Sequence, residues 1–197
     1  QRDLTRFGFG AAAAGKTRDL SSEDLDNPAT VEFATDVESA VVHYGDITMT
    51  FLNNWFATDV RGTSLTYASA VAVEEKSVID YNRGDPDGVL AAGEVPRVPR
   101  IPLVAIYPEE GTLYSDSPFI VLDADWVTPE LREGALAFQR YLAEQITPEL
   151  AAREGFRPAD LEAAPVAPIS PENGVDPEQP ERELELPEAR VLALLKR

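Results

Sequence analysis

The sequence predicts an α/β fold, because segments with a strand-like pattern lie between segments with helical spacing. Residues 65–73, 101–107 and 118–122 are short apolar runs rich in β-branched and aromatic side chains, which is typical of strands covered on both faces. Apolar residues recur at helical spacing between these runs and on either side of them. We therefore expect strands and helices to alternate along the chain.

The helix starts are marked by polar residues followed by proline. Asn27, Thr128 and Thr147 each precede a proline, which predicts an N-cap and a proline in the first helical turn. A short helix containing Val78, Ile79 and Tyr81 is expected to end near Gly84, because glycine accepts the left-handed conformation that commonly closes a helix.

Charge and composition exclude several classes of function. The chain has 197 residues, with 35 acidic residues against 17 Lys and Arg, and its formal net charge is −18. Such a charge repels nucleic-acid backbones and anionic lipid surfaces. There is no cysteine and one histidine, His43, so the chain offers little material for thiolate chemistry, a catalytic triad or a multi-histidine metal site.

Residues 10–17 match the phosphate-binding loop G-x-x-x-x-G-K-[ST], with Gly10, Gly15, Lys16 and Thr17 at the required positions. That loop needs a strand before it and a helix directly after it. The preceding segment is short and broken by Gly8, and four alanines inside the motif favour a helix that ends at Gly15. The sequence favours the helix and leaves nucleotide binding through Gly10–Thr17 as a remote alternative.

Two helix starts are rich in small polar groups. Gly45, Asp46 and Thr48 precede or begin one helix, and Glu75, Lys76 and Ser77 begin another. Free backbone N–H groups at a helix N-terminus bind anions or dipolar ligands without a catalytic residue. Ordinary helix capping explains the same residues about equally well, and both interpretations stay open.

Longer segments resemble a known family. The segments YASAVAVEEKSVIDYN at residues 67–82, PLVAIYPEEGTLYSDSPFIVL at 102–122 and GFRP at 155–158 resemble bacterial extracellular solute-binding proteins. They are most similar to the actinobacterial branch in which the binding domain precedes a von Willebrand factor A domain. The resemblance covers about residues 20 to 195.

This resemblance implies a type II periplasmic-binding-protein-like fold, in which two α/β lobes close on a ligand. Residues 1–100 would form the second lobe, residues 101–162 the crossover strands and return helices, and residues 163–197 an acidic, proline-rich tail with a closing helix. The first lobe and the von Willebrand domain would be supplied by other segments of the same protein, so we expect the chain to be a piece of a larger protein.

The family's function is non-enzymatic, extracytoplasmic binding of a small molecule or ion between the lobes. The resemblance implies no catalytic residue, cofactor or metal site. The net charge argues against a nucleic-acid partner, and the lack of an apolar run of eighteen residues argues against membrane insertion. The positions that match the family's cleft are listed here as the predicted ligand contacts: Gly45, Asp46, Thr48, Glu75, Lys76, Ser77 and Tyr107. The alternative is an interaction or scaffold module of the cell envelope whose cleft is vestigial.

Overall fold

The computed structural model describes residue 21 and residues 23–43, 47–109, 111–115, 117–157 and 167–184. Helices make up 46% of these residues. The α-helices are α1 (Pro28–Ala40), α2 (Thr48–Val60), α3 (Ser64–Tyr67), α4 (Glu75–Arg83), α5 (Pro129–Gln145) and α6 (Pro148–Arg153). Two short 3₁₀ helices cover Asp24–Asp26 and Pro171–Asn173. The helix bounds show which local signals act as the sequence predicts.

The predicted starts of α1, α5 and α6 are confirmed. The Asn27 side chain accepts a hydrogen bond from the Ala29 N–H at 3.0 Å, and Thr128 and Thr147 accept from N–H groups three residues later at 3.3 and 3.2 Å. Each cap satisfies a backbone donor that has no partner inside the helix. The predicted end of α4 is also confirmed, because Gly84 caps it in the left-handed region with φ +86°.

The predicted α/β, type II periplasmic-binding-protein-like fold is wrong, because the described residues form no β-sheet. Of the three predicted strands, residues 65–67 lie in α3, and residues 101–107 and 118–122 belong to no helix or strand. The described residues contain a single isolated bridge, a parallel one between Thr112 and Glu183. A two-lobe architecture with crossover strands therefore does not describe this structure.

The extended segment that begins at Arg100 finds other hydrogen-bond partners. The buried Asp59 carboxylate accepts from the N–H groups of Arg100 and Ile101 at 2.7 and 3.0 Å. The Asn82 amide bonds both backbone groups of Leu103 at 2.8 Å. Buried backbone polar groups need a partner, but any well-placed acceptor or donor suffices. Side chains from α2 and α4 therefore satisfy several backbone hydrogen-bonding groups of this segment.

In the part of the chain that the structure describes, the core consists of two adjoining clusters around α4. One contains Leu52, Trp55, Ala68 and Tyr81, and the other contains Val78, Ile79, Ile169 and Val175. Leu103 packs against both clusters. The core thus draws on α2, on α4, on the segment from Arg100 to Tyr107 and on residues 167–184, and α4 contributes to both clusters.

The 167–184 segment lies within the predicted acidic tail and binds across α4. Ile169 and Val175 are 3% and 1% exposed, so the segment contributes to the core. The N–H of Ala105 donates to the Gly174 carbonyl at 2.8 Å, and the Asn82 amide donates to the Asn173 carbonyl at 2.9 Å. These bonds fix the segment to both α4 and the 101–107 segment.

Residues 117–145 are much more exposed. Helix α5 has 17 residues and none of them is buried. Leu131, Phe138 and Tyr141 on this helix are more than half exposed, as are Ile120 and Trp126 before it. No helix among the described residues has the length and apolar character needed to cross a membrane.

Candidate functional site

One face of α4 lines a polar cleft of about 300 Å³. Lys76, Asp80 and Arg83 are spaced four and three residues apart, which places them on the same side of the helix. The residues lining the cleft are Lys76, Asp80, Arg83, Asp85, Gly88, Leu90, Pro96, Arg153 and Glu154. The cleft therefore lies between α4, the loop that follows it and the end of α6.

The floor of this cleft is a tight ion pair. Lys76 Nζ lies 2.6 Å from Asp80 Oδ2, and both side chains are at least two-thirds buried. The backbone of Gly88 lies over this pair, since a Cβ at that position would come within 2.9 Å of Asp80 Oδ2. A residue without a side chain keeps the space above the pair open.

The acidic side of the cleft carries a carboxylate in an unfavourable environment. Burial raises the pKa of Asp85, and the hydrogen bond with Asp87 and the charges of Asp80 and Asp87 raise it further. The pKa of Asp87 is lowered, chiefly by the Asn53 amide, which donates to its carboxylate at 2.9 Å. Negative charge is thus concentrated around Asp85, and a nearby positive group would relieve it.

The start of α4 carries a second polar network. The Arg157 guanidinium donates to both oxygens of Glu75, from Nε at 2.7 Å and from a terminal nitrogen at 2.8 Å. The Tyr107 hydroxyl donates to Glu75 Oε1 at 2.5 Å. Burial raises the pKa of Tyr107, and its hydrogen bond to Glu75 raises it further. The bidentate geometry is the strong form of this ion pair.

This network fastens the 167–184 segment to α4. Arg157 also donates to the carbonyls of Asp176 and Pro177 at 2.8 and 3.3 Å, and the Asp176 N–H donates to the Tyr107 hydroxyl at 3.3 Å. A ligand that bound Glu75 or Tyr107 would have to displace one of these protein contacts. The network is therefore organised as a structural anchor.

The structure joins two of the predicted ligand contacts and separates others. Glu75 and Tyr107 are hydrogen-bonded, and Lys76 lies in the cleft. Ser77 is half-buried on α4, and its N–H donates to the Glu74 carbonyl at 3.0 Å. Thr48 is the first residue of α2, whose N-cap is Ile47. Gly45 and Asp46 lie outside the described residues, as do the phosphate-loop residues Gly10, Gly15, Lys16 and Thr17.

Sequence reasoning missed most of the cleft. The spacing of Lys76, Asp80 and Arg83 is visible in the sequence and could have indicated a charged helix face. Arg153 and Glu154 reach the cleft from a distant part of the chain, and no local pattern marks them. Arg157 was noted only as part of the GFRP segment, and its partner Glu75 lies 82 residues away.

The cleft has the chemistry of a binding site. Its lining residues supply cations, carboxylates and two apolar contacts, and they include no hydroxyl, thiol or imidazole group. Within the described residues, no three His, Asp or Glu side chains lie close enough together to hold a metal ion. The charged groups of the lining can therefore contact a charged ligand.

Comparison of the chain with protein-family models, with curated proteins and with solved structures found no match.

Proposed function

We propose that this chain is a non-enzymatic module that binds a small polar solute in the cleft beside α4. The observation that carries the proposal is the convergence of three cationic and three acidic side chains around one cavity of about 300 Å³. That volume lies at the small end of the roughly 300–1,000 Å³ typical of ligand pockets. The site differs from the interlobe cleft that the sequence predicts, and it shares only Lys76 with the predicted contacts.

The packing of α4 supports this proposal. Helix α4 lines the cleft, and its opposite face buries Val78, Tyr81 and Asn82. A side chain held on a well-packed helix loses little entropy when a ligand binds, and the ligand gains affinity from that pre-organisation. The location remains a proposal as well: the resemblance to extracellular solute-binding proteins supports a site outside the cytoplasm, in the cell envelope or secreted.

Thermal denaturation of the chain against separate panels of sugars, amino acids, oxyanions and divalent cations tests the proposal. We expect one panel to raise the Tm, because a ligand that binds only the folded state stabilises it. The double variant Arg83→Gln/Arg153→Gln should abolish that rise. The matched control Arg132→Gln removes an exposed guanidinium on α5, outside the cleft, and should preserve it.

The proposal fails if no panel changes the Tm. It also fails if the double variant responds like the unmodified protein, because the ligand would then bind elsewhere. Isothermal titration calorimetry with the ligand that raises the Tm tests the same proposal, because it measures binding directly and does not depend on the melting behaviour.

A second candidate is the interaction or scaffold module, and the exposure of α5 specifically favours it. The apolar side chains Leu131, Phe138 and Tyr141 are each more than half exposed on one helix. Exposed apolar patches commonly mark protein interaction sites. In this candidate the partner is another segment of the same protein, as the family resemblance implies.

Native mass spectrometry and sedimentation velocity separate the two candidates. Association of the chain with itself or with a neighbouring segment of its protein, lost in Phe138→Asp and kept in Arg83→Gln, would favour the interaction module. A monomer at every concentration, with no binding of that segment, would remove this candidate and leave the ligand-binding proposal untouched.

A further inference from the structure

We infer that the ligand of the α4 cleft is a small zwitterion of the amino-acid class, which carries one carboxylate and one ammonium group. This inference rests on the proposed function and deepens it. It follows from which charged groups in the cleft are already paired and which are open to a ligand.

The cleft's innermost charges neutralise each other. Lys76 and Asp80 form the 2.6 Å ion pair at the floor, and this pair is more buried than the other ion pair that includes cleft residues. A ligand gains little by competing with it, because breaking a partly buried pair leaves an uncompensated charge. The groups left for a ligand are therefore the outer four: Arg83, Arg153, Asp85 and Glu154.

Two guanidinium groups are available to hold an anionic group. Within the described part of the chain no ion pair involves Arg83. Arg153 meets Glu154 at 3.6 Å, and the two side chains are 73% and 60% exposed. An exposed pair of this kind contributes little and is readily exchanged. Guanidinium groups bind carboxylates with bidentate geometry, so one carboxylate is the anionic group that fits.

Two carboxylates of the same cleft are available to hold a cationic group. Asp85 is half-buried, hydrogen-bonded to Asp87 and close to the charge of Asp80, and Glu154 is exposed, with Arg153 as its weak partner. An ammonium group placed against Asp85 would gain from the negative charge gathered there and would reduce the repulsion among the aspartates. The ammonium group of Lys76 does not compensate Asp85, because it is already paired with Asp80.

The balance of charge selects a zwitterion over a simple anion or cation. Beside the Lys76–Asp80 pair, the lining supplies two guanidinium groups and two carboxylates around a space of about 300 Å³, and the exposed Arg153–Glu154 pair can exchange partners with a ligand. A ligand with only a carboxylate would leave Asp85 uncompensated and would approach a protein whose net charge is −18. A ligand with only an ammonium group would leave the guanidinium groups unused. A free amino acid satisfies both sets.

Isothermal titration with chemically trimmed ligands tests this inference on the unmodified protein. The amino acid that gives the largest rise in Tm is compared with its carboxamide, which lacks the carboxylate, and with its N-acetyl form, which lacks the ammonium group. We expect each trimmed form to bind about tenfold more weakly or worse, since each loses a charge-assisted interaction.

Variants assign each charge to its side of the cleft. Arg83→Gln should weaken binding of the free amino acid about tenfold and leave binding of the carboxamide unchanged. Asp85→Asn should weaken the free amino acid similarly and leave the N-acetyl form unchanged. The control Arg132→Gln should leave all three affinities as they are. Because the trimmed ligands are also measured on the unmodified protein, the test survives a variant that fails to fold.

The outcomes distinguish a failure of the zwitterion inference from a failure of the proposed function. Equal affinity for the N-acetyl form overturns the zwitterion in favour of an anion, and equal affinity for the carboxamide overturns it in favour of a cation. Binding of a sugar, oxyanion or divalent cation with no response to any amino acid overturns the zwitterion while the proposed function stands. If no panel member binds, both fail.

Discussion

Helix α4 and helix α5 show how similar local signals lead to different packing. Helix α4 begins and ends, and helix α5 begins, where the sequence predicts or close to it, and α5 is nearly twice as long. Yet α4 buries Val78, Ile79, Tyr81 and Asn82, whereas α5 buries none of its residues. Capping signals thus specify where a helix forms, and the presence of partner segments specifies which helix belongs to the core.

The difference arises from what the rest of the chain brings to each helix. Residues 101–107 and 167–184 converge on α4 and hold it through apolar and polar contacts. Helix α5 makes a ring contact between Phe138 and Phe119 and an exposed ion pair between Arg132 and Asp123. We therefore expect the stability of the chain to depend on α4 and to be almost insensitive to changes on α5.

The largest expected effect contrasts an apolar residue on each helix. Ile79→Ala should lower the free energy of unfolding by about 2–5 kcal/mol, because Ile79 is fully buried and its truncation leaves a cavity. Leu131→Ala should change it by less than about 0.5 kcal/mol, because Leu131 is 56% exposed. Urea denaturation followed by circular dichroism measures both. A large loss in Leu131→Ala would show that α5 is covered in solution.

The second prediction concerns how closely the 167–184 segment approaches the 101–107 segment. Gly174 has φ +79°, and a Cβ there would overlap the Leu103 carbonyl and the Asn82 amide. Gly174→Ala should therefore cost about 2–4 kcal/mol. Gly93→Ala is the matched control: Gly93 has a similar φ of +86° and open space around it, so only the backbone strain of about 1 kcal/mol remains.

Equal melting temperatures for Gly174→Ala and Gly93→Ala would contradict the close approach. It would mean that residues 167–184 can move away from α4 without loss, and the comparison between the two helices would then lose one of its causes.

A smaller effect is expected from the anchor at the start of α4. Arg157→Met should lower the free energy of unfolding by about 1–3 kcal/mol, since it removes the bidentate pair with Glu75 and the bonds to residues 176 and 177. Arg132→Met removes the exposed pair on α5 and should cost less than about 0.5 kcal/mol. Hydrogen exchange adds a local measurement: amide protection in residues 167–184 should fall in Arg157→Met alone. Unchanged protection would assign the anchoring to the apolar contacts of Ile169 and Val175.

The smallest effect at neutral pH comes from Tyr81, whose contribution changes only in alkali. Burial, together with the Asp59 charge, raises the pKa of Tyr81 from 10.0 to about 12. Below pH 10 the phenol of Tyr81 is protonated in both the folded and the unfolded state, so its ionisation causes no change of stability with pH. Between about pH 10 and pH 12 the unfolded state loses the proton first, so stability falls as the pH rises.

Absorbance titration of the tyrosines checks this prediction. One late ionisation step should disappear in Tyr81→Phe and persist in Tyr141→Phe, which changes an exposed tyrosine of α5. A titration curve of the same shape in Tyr81→Phe and in the unmodified protein, apart from total amplitude, would contradict the raised pKa.

The strand-like segments show where sequence reasoning failed. Residues 101–107 alternate as a strand would, with Leu103 and Tyr107 half-buried and Val104 and Ile106 exposed. The pattern cannot indicate whether a neighbouring strand is present, and here the hydrogen bonds to this segment come from Asp59, Asn82 and Gly174. The prediction of a strand, and with it of an α/β fold, therefore failed.

The candidate site was only partly visible for a similar reason. Lys76 was selected because it lies at a helix start, and the structure places it in the cleft through the face it shares with Asp80 and Arg83. Glu75 was selected at the same helix start and Tyr107 from the family resemblance, and the structure joins them through a hydrogen bond within the Arg157 network. Whether any of these side chains binds a ligand stays a prediction.

The sequence by itself determined the features that depend on neighbours along the chain. These are the net charge of −18, the helix starts at Asn27, Thr128 and Thr147, and the helix end at Gly84. Each cap is a contact between residues two to four positions apart, so a short stretch of sequence is enough to predict it. Only the tertiary structure decided that α4 is the central element, that Arg83 and Arg153 line the same cleft, and that Arg157 anchors residues 167–184. Those features depend on contacts between distant parts of the chain, and burial and charge pairing at such distances follow from the fold as a whole.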